Sequence, residues 1–190
     1  MKKLLFTWLL SVVASVSFAQ QNGIQLTVRW NTANNRYEVF AKSNFTQSNL
    51  TWGPSQITVV VPAATPDAPF MITSLAAGVW GNNTNVYSPT ADATHDFHSV
   101  DSNGASTNLT NGVELLLFAF TLSDGQCRDG VRLFINTSDP NSSAAGMAGG
   151  DYANTIDYGQ ISKDAYASNY ANTGTQCTAS CNVVAPELIK

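Results

Sequence analysis

The sequence predicts an all-β protein, a two-sheet antiparallel β-sandwich carried behind an export signal. Three observations predict it. Short segments of alternating apolar and polar residues recur along the chain, clusters of Gly, Pro, Asn, Asp and Ser separate them, and helical periodicity is nearly absent. Seven to nine such strands, with turn signals between them, suit a sandwich of the jelly-roll or immunoglobulin-like kind.

The chain opens with a signal layout. Lys2 and Lys3 precede an apolar run from Leu4 to Val16, and Ser17-Phe18-Ala19 places small residues where a peptidase cuts. The apolar run falls short of the roughly 20 residues that span a bilayer, so a cleaved leader is preferred to an anchor. The expected plan is a signal peptide at 1–19, a sandwich domain at 20–176 and a tail at 177–190. Nothing after the leader is long and apolar enough to span a membrane.

Ile24, Leu26, Val28 and Trp30 alternate with Gln25, Thr27 and Arg29, which reads as a half-buried strand. A polar turn at 31–35 follows, and Tyr37, Val39 and Ala41 resume the alternation, so residues 24–43 read as a hairpin. After a polar loop, residues 56–61 form a strand stopped by Pro62. The three prolines of 62–69 exclude a central strand there. Residues 70–75 form a short strand, Val79-Trp80 belongs to another, and 81–92 reads as loop. Residues 95–100 read as an edge strand and 102–111 as a polar turn.

Residues 113–122 (VELLLFAFTL) are apolar on both faces, as in a strand buried on both sides. Ser123-Asp124-Gly125 turns the chain toward 130–136 (GVRLFIN), the expected antiparallel neighbour. Residues 137–175 read as a long ordered loop that admits a short helix near 164–170.

Charge narrows the function. Removing the leader leaves seven basic against thirteen acidic residues, a balance of −6. Phosphate binding needs clustered Lys and Arg, so a nucleic-acid partner is not expected. Only 12% of residues are charged, about half the usual globular share, and Asn, Ser and Thr take their place. The apolar content of 44% is ordinary, which argues against disorder.

Cys127, Cys177 and Cys181 are the three cysteines. In an oxidising compartment two of them are expected to pair, Cys127 with Cys177 or Cys181, or Cys177 with Cys181 locally. A zinc site fits poorly, because neither histidine is near them.

Two blocks carry a family resemblance. The first runs over residues 26–62, with TVRWN, YEVFAKSNF and WGPSQITVVVP. The second is LLLFAFTLSDGQCRDGVRLFINTSDPNSS at 115–143, followed by GMAGGDY at 146–152. Together they resemble the cohesin-like N-terminal domain of large secreted surface proteins of gliding bacteria, many of which use type IX secretion. The resemblance implies a jelly-roll sandwich related to cohesins and to some carbohydrate-binding modules, with a role in adhesion or assembly at the cell surface. Members of that group continue into repeats and a C-terminal sorting domain. This chain ends at Lys190 with neither, as a fragment or a stand-alone module would.

The remaining motifs are each weighed against a plain structural role. His95-Asp96-Phe97-His98 has a metal-site look, but on a strand the two rings point to opposite faces, so a surface edge strand is the preferred reading. After the leader only Glu38, Glu114 and Glu187 are glutamates, and G-x-S-x-G is absent, so no catalytic constellation is expected. Calcium is the one cofactor considered, through Asp139, Asn141, Asp151 and Asp157. Asx-turns explain the same residues, and their spacing matches no EF-hand. Trp80, Tyr87, Tyr152, Tyr158, Tyr166 and Tyr170 are candidates for stacking on sugar rings, or else pins that hold loops to the sheets. Trp30 and Trp52 read as core. The N-x-[ST] triplets at Asn44, Asn49, Asn82, Asn108, Asn136 and Asn141 follow from composition.

The expected function is a non-enzymatic cell-surface adhesion or structural module. Its partner is an extracellular or envelope protein, or a neighbouring copy. A carbohydrate-binding module for polysaccharide is the alternative, and a secreted glycan hydrolase ranks third.

Overall fold

The computed structural model describes residues 23–159 and 163–178. The expected leader, Cys181, Glu187 and the tail beyond 178 lie outside the described residues. Within them the protein is all-β, with twelve strands and no helix. These are β1 (Ile24–Asn31), β2 (Arg36–Ser43), β3 (Gln47–Pro62), β4 (Met71–Ser74), β5 (Trp80–Val86), β6 (His95–Ser102), β7 (Ser106–Leu109), β8 (Glu114–Thr121), β9 (Arg132–Leu133), β10 (Thr155–Tyr158), β11 (Lys163–Asp164) and β12 (Tyr166–Asn169).

They form two sheets. One has the order β12-β1-β2-β8-β4; the other has the order β11-β10-β3-β6-β5, with β7 and β9 also paired to β3. The described pairings are antiparallel except β1 with β12. Alternation places Ile24, Leu26 and Val28 of β1 and Tyr37, Val39 and Ala41 of β2 in the interior, facing Trp52, Ile57, Val59 and Val61 of β3. The expected hairpin at 24–43 is therefore present, in register from Ile24 opposite Ser43 to Asn31 opposite Arg36.

The apolar run of β8 has a specific cause. Val39 stands opposite Phe118 and Phe40 opposite Leu116, so Leu117 is an extra residue, a β-bulge. Leu117 and Phe118 are consequently both buried. The Leu117 carbonyl accepts the Leu75 and Ala76 amides, each at 2.9 Å. Ala119 and Phe120 are buried as well, so this end of the strand is buried on both faces.

β3 is the spine of the second sheet. Along one edge it pairs β7 and then β6, and along the other β10 and then β9. Gly104 makes the β6–β7 junction possible: it has φ of 76°, and a Cβ there would lie 2.2 Å from the Trp52 carbonyl oxygen. Val60 is buried on the outer face of this sheet, where Phe97, Phe134, Met147 and Tyr152 cover it.

Several expectations are corrected. Residues 164–170 are not helical; they belong to β11 and β12, because the Asp164 carboxylate takes the Ile156 and Tyr166 amides and β12 completes the edge of β1. The 137–175 stretch likewise contains three strands. Residues 95–100 are no edge strand, since β6 lies between β3 and β5 and is almost wholly buried. The 81–92 stretch contains β5, whose Asn82 side chain bonds the Phe70 amide and the Ser99 carbonyl. Within 102–111 lies β7. Residues 130–136 do not neighbour β8; their strand β9 crosses to the other sheet and pairs β3.

Candidate functional site

Cys127 and Cys177 form a disulfide across 50 residues, with Cα atoms 5.7 Å apart. The bridge settles which of the expected pairings holds, and it is consistent with an oxidising compartment. Beside it the Tyr37 hydroxyl accepts the Arg128 amide at 2.6 Å and donates to the Arg128 carbonyl at 2.9 Å. The segment that leaves the first sheet is thus fixed covalently and by a buried phenol. No helix among the described residues is long and apolar enough to cross a membrane.

The aromatic candidates scatter. Trp80 is 3% exposed, donates its indole N–H to the Ala76 carbonyl at 2.8 Å and packs against Phe118. Tyr152 is also 3% exposed and sits near Phe97 on the other side of the sheet. Neither ring can stack on a sugar without leaving the interior, at a cost of roughly 2 kcal/mol or more. Tyr87 stands edge-on to the buried His98, and Tyr158 packs near Phe45. These four rings pin loops and strands rather than form a platform.

Two other rings are placed differently. Tyr170 lies on the outer face of the five-stranded sheet, with its hydroxyl donating to Glu114 at 2.7 Å and the Lys42 ammonium 3.8 Å from its ring centre. On the same face Arg29 pairs with Glu114 and sits 4.3 Å over the Phe40 ring. Burial raises the Tyr170 phenol, and its bond to Glu114 raises it further. Partial burial works against ionisation of Glu114, but hydrogen bonds from Arg29 and Tyr170 outweigh it and hold the carboxyl below its ordinary value. The outcome is an ionised glutamate gripped by two partners, Arg29 and Tyr170, on a partly exposed face. The alternation of the 24–43 hairpin puts Arg29, Phe40 and Lys42 on one face, but gives no means of bringing Glu114 or Tyr170 to it.

Tyr166 lines a groove of about 280 Å³ where β12 meets the segment after β9. A separate shallow groove of about 320 Å³ holds Asp101 and Asp157 with Gln56 between their strands. Asp101 already accepts Ser99 Oγ and Asn83 Nδ2, each at 2.7 Å.

Three of the four calcium candidates have their side chains engaged locally. Asp139 accepts both guanidinium nitrogens of Arg132, at 2.6 and 2.8 Å, and the Ile135 amide. Asn141 accepts from Ser143 and Asp151 from the Ala153 amide, which are Asx-turns. Asp157 lies in β10 opposite Asp164. No group of three or more His, Cys, Asp or Glu suited to a metal occurs among the described residues.

The histidines diverge. His95 bonds Asp92 at 2.8 Å near the surface. His98 is fully buried with its ring stacked 3.9 Å from Phe70, and burial lowers its pKa to about 4. The chain matches no protein family, no curated protein and no solved structure.

Proposed function

We propose that this chain is an exported, non-enzymatic recognition module, a jelly-roll sandwich of the cohesin-like kind that binds a protein partner at the cell surface. The leader pattern at 1–19 and the Cys127–Cys177 bridge support export into an oxidising compartment. The outer face of the five-stranded sheet is the binding surface.

One observation carries this reading: the joined side chains of Arg29, Phe40, Lys42, Glu114 and Tyr170 on that face. Arg and Tyr are the residues that dominate protein interfaces, and here their rotamers are already held, which lowers the entropy lost on docking. Both cations are matched by Glu114 or an aromatic ring, so the face suits a protein of mixed charge better than a polyanion. The outer face of the other sheet is partly covered by Phe134, Met147 and Tyr152 and offers less.

Co-sedimentation of the purified protein with the native cell envelope tests this. Binding should be saturable, protease-sensitive on the envelope side, and weakened about tenfold or more by Arg29→Glu or Phe40→Ala with the melting temperature little changed. A protein that stays monomeric and binds no envelope protein contradicts it.

A further inference from the structure

The groove beside β12 has a composition that selects a ligand class. Its walls include Ile135, Asn136 and Thr137 after β9, Tyr166 and Asn169 of β12, and Asn172. No charged side chain lines it. The three amides are fixed. Asn136 accepts the Asn154 amide at 2.8 Å and donates to its carbonyl at 2.9 Å. Asn172 does the same with Leu133, at 2.7 and 2.8 Å. Asn169 donates to the Phe134 carbonyl at 2.7 Å and accepts the Tyr166 hydroxyl at 3.1 Å.

Each amide nitrogen carries two N–H groups and uses one in the bond just described, and each amide oxygen has a second lone pair. The groove thus joins a mainly apolar surface to three neutral amides held in fixed orientations. Beside them stand the half-buried Tyr166 ring and Ile135, 37% exposed. An anion would find no cation here, and a wholly apolar ligand would leave the second N–H group of each amide without a partner. A ring that shows hydroxyls at its rim and C–H groups on its face matches both kinds of wall.

We infer that this groove binds a sugar unit of a neutral polysaccharide, with Tyr166 as the stacking ring and Asn136, Asn169 and Asn172 as the hydroxyl partners. Its volume lies at the small end of ligand sites, which suits one or two sugar rings. The surplus of acidic residues in the chain disfavours acidic glycans. The groove and the proposed protein-binding face use different residues, so either can fail alone.

The test is an NMR titration of the disulfide-intact protein with cellotetraose, xylotetraose, mannotetraose, an acidic alginate tetramer and a short Thr/Val peptide. At least one neutral tetrasaccharide should shift the amides of residues 135–137 and 166–172. Tyr166→Ala should weaken that binding about tenfold, as should Thr137→Asp, which alters an exposed side chain and keeps the fold, whereas Phe40→Ala should leave it unchanged. Three results would overturn the inference: no neutral sugar binds, the alginate or the peptide shifts these amides while the neutral sugars do not, or Thr137→Asp binds as the parent does.

Discussion

Asn136 and Asn154 hold each other across the break between β9 and β10, the side chain of one bonded to both backbone groups of the other. This matters because β3 has no strand partner at Thr58 on that edge. The Asn154 side chain stands in for one, accepting the Thr58 amide at 2.8 Å and donating to the Phe134 carbonyl at 2.7 Å. Asn154 is completely buried. Its truncation leaves the buried Thr58 amide without a partner, at about 1–3 kcal/mol, while the Phe134 carbonyl keeps its bond from Asn169. Asn154→Ala should therefore lower stability by about 1–3 kcal/mol, read as a lower urea midpoint with the m-value unchanged.

Tyr37 makes a similar clamp at the other end of the crossing. Its hydroxyl both accepts from and donates to Arg128, and its ring stacks on Phe120. Tyr37→Phe keeps the stack and removes the clamp, so it isolates the hydroxyl. A loss of about 1–3 kcal/mol in the same urea experiment is expected.

The disulfide closes a loop of about 50 residues, for which chain entropy gives about 4 kcal/mol as an upper figure. Replacing both Cys127 and Cys177 by alanine should lower the melting temperature clearly. Peptide mapping without reduction should recover one cross-linked pair, Cys127 with Cys177. Recovery of Cys127 joined to Cys181 would contradict the bridge.

Stability should fall on acidification because of His98. Its folded pKa is about 4 against 6.5 for the free side chain, so the unfolded chain takes up the proton first. Stability is then lost as pH falls from about 6.5 through 4, by roughly 3 kcal/mol when complete. Asp96 acts in the opposite sense: burial raises its pKa, so the folded chain takes up that proton first and gains stability as pH falls. His98→Phe removes only the first effect. Urea midpoints from pH 7 down to about pH 4 should drop less in that variant than in the parent.

What was legible in the sequence follows from how local each cause is. The hairpin at 24–43 was readable because its alternation and turn lie in one stretch, and β8 because its apolar run is strong. Residues 117–120 are buried on both faces as that run implies, and only the register shift at the Leu117 bulge is something no period reveals. β5 was hidden because Asn82 and Asn85 are turn formers, and here they bond each other inside a strand. The partner of β9 and the edge pairing of β12 depend on contacts across more than 70 residues, which outweigh local helix preference. Tyr166 and Tyr170 were visible as candidate rings, but their surroundings come from distant segments: Asn136 and Asn172 for one, Glu114 and Lys42 for the other. Trp80 and Tyr152 looked alike in sequence, and only packing shows them buried.

The proposed binding face is tested most directly by placing a photo-crosslinking amino acid at Leu116, which lies opposite Phe40 on that face, and irradiating the protein on its native cell envelope. The account predicts one discrete protein adduct from position 116, lost when Arg29→Glu is added, and none from the same probe at Thr84 on the other sheet. No adduct at 116, or equal adducts from both positions, would contradict it.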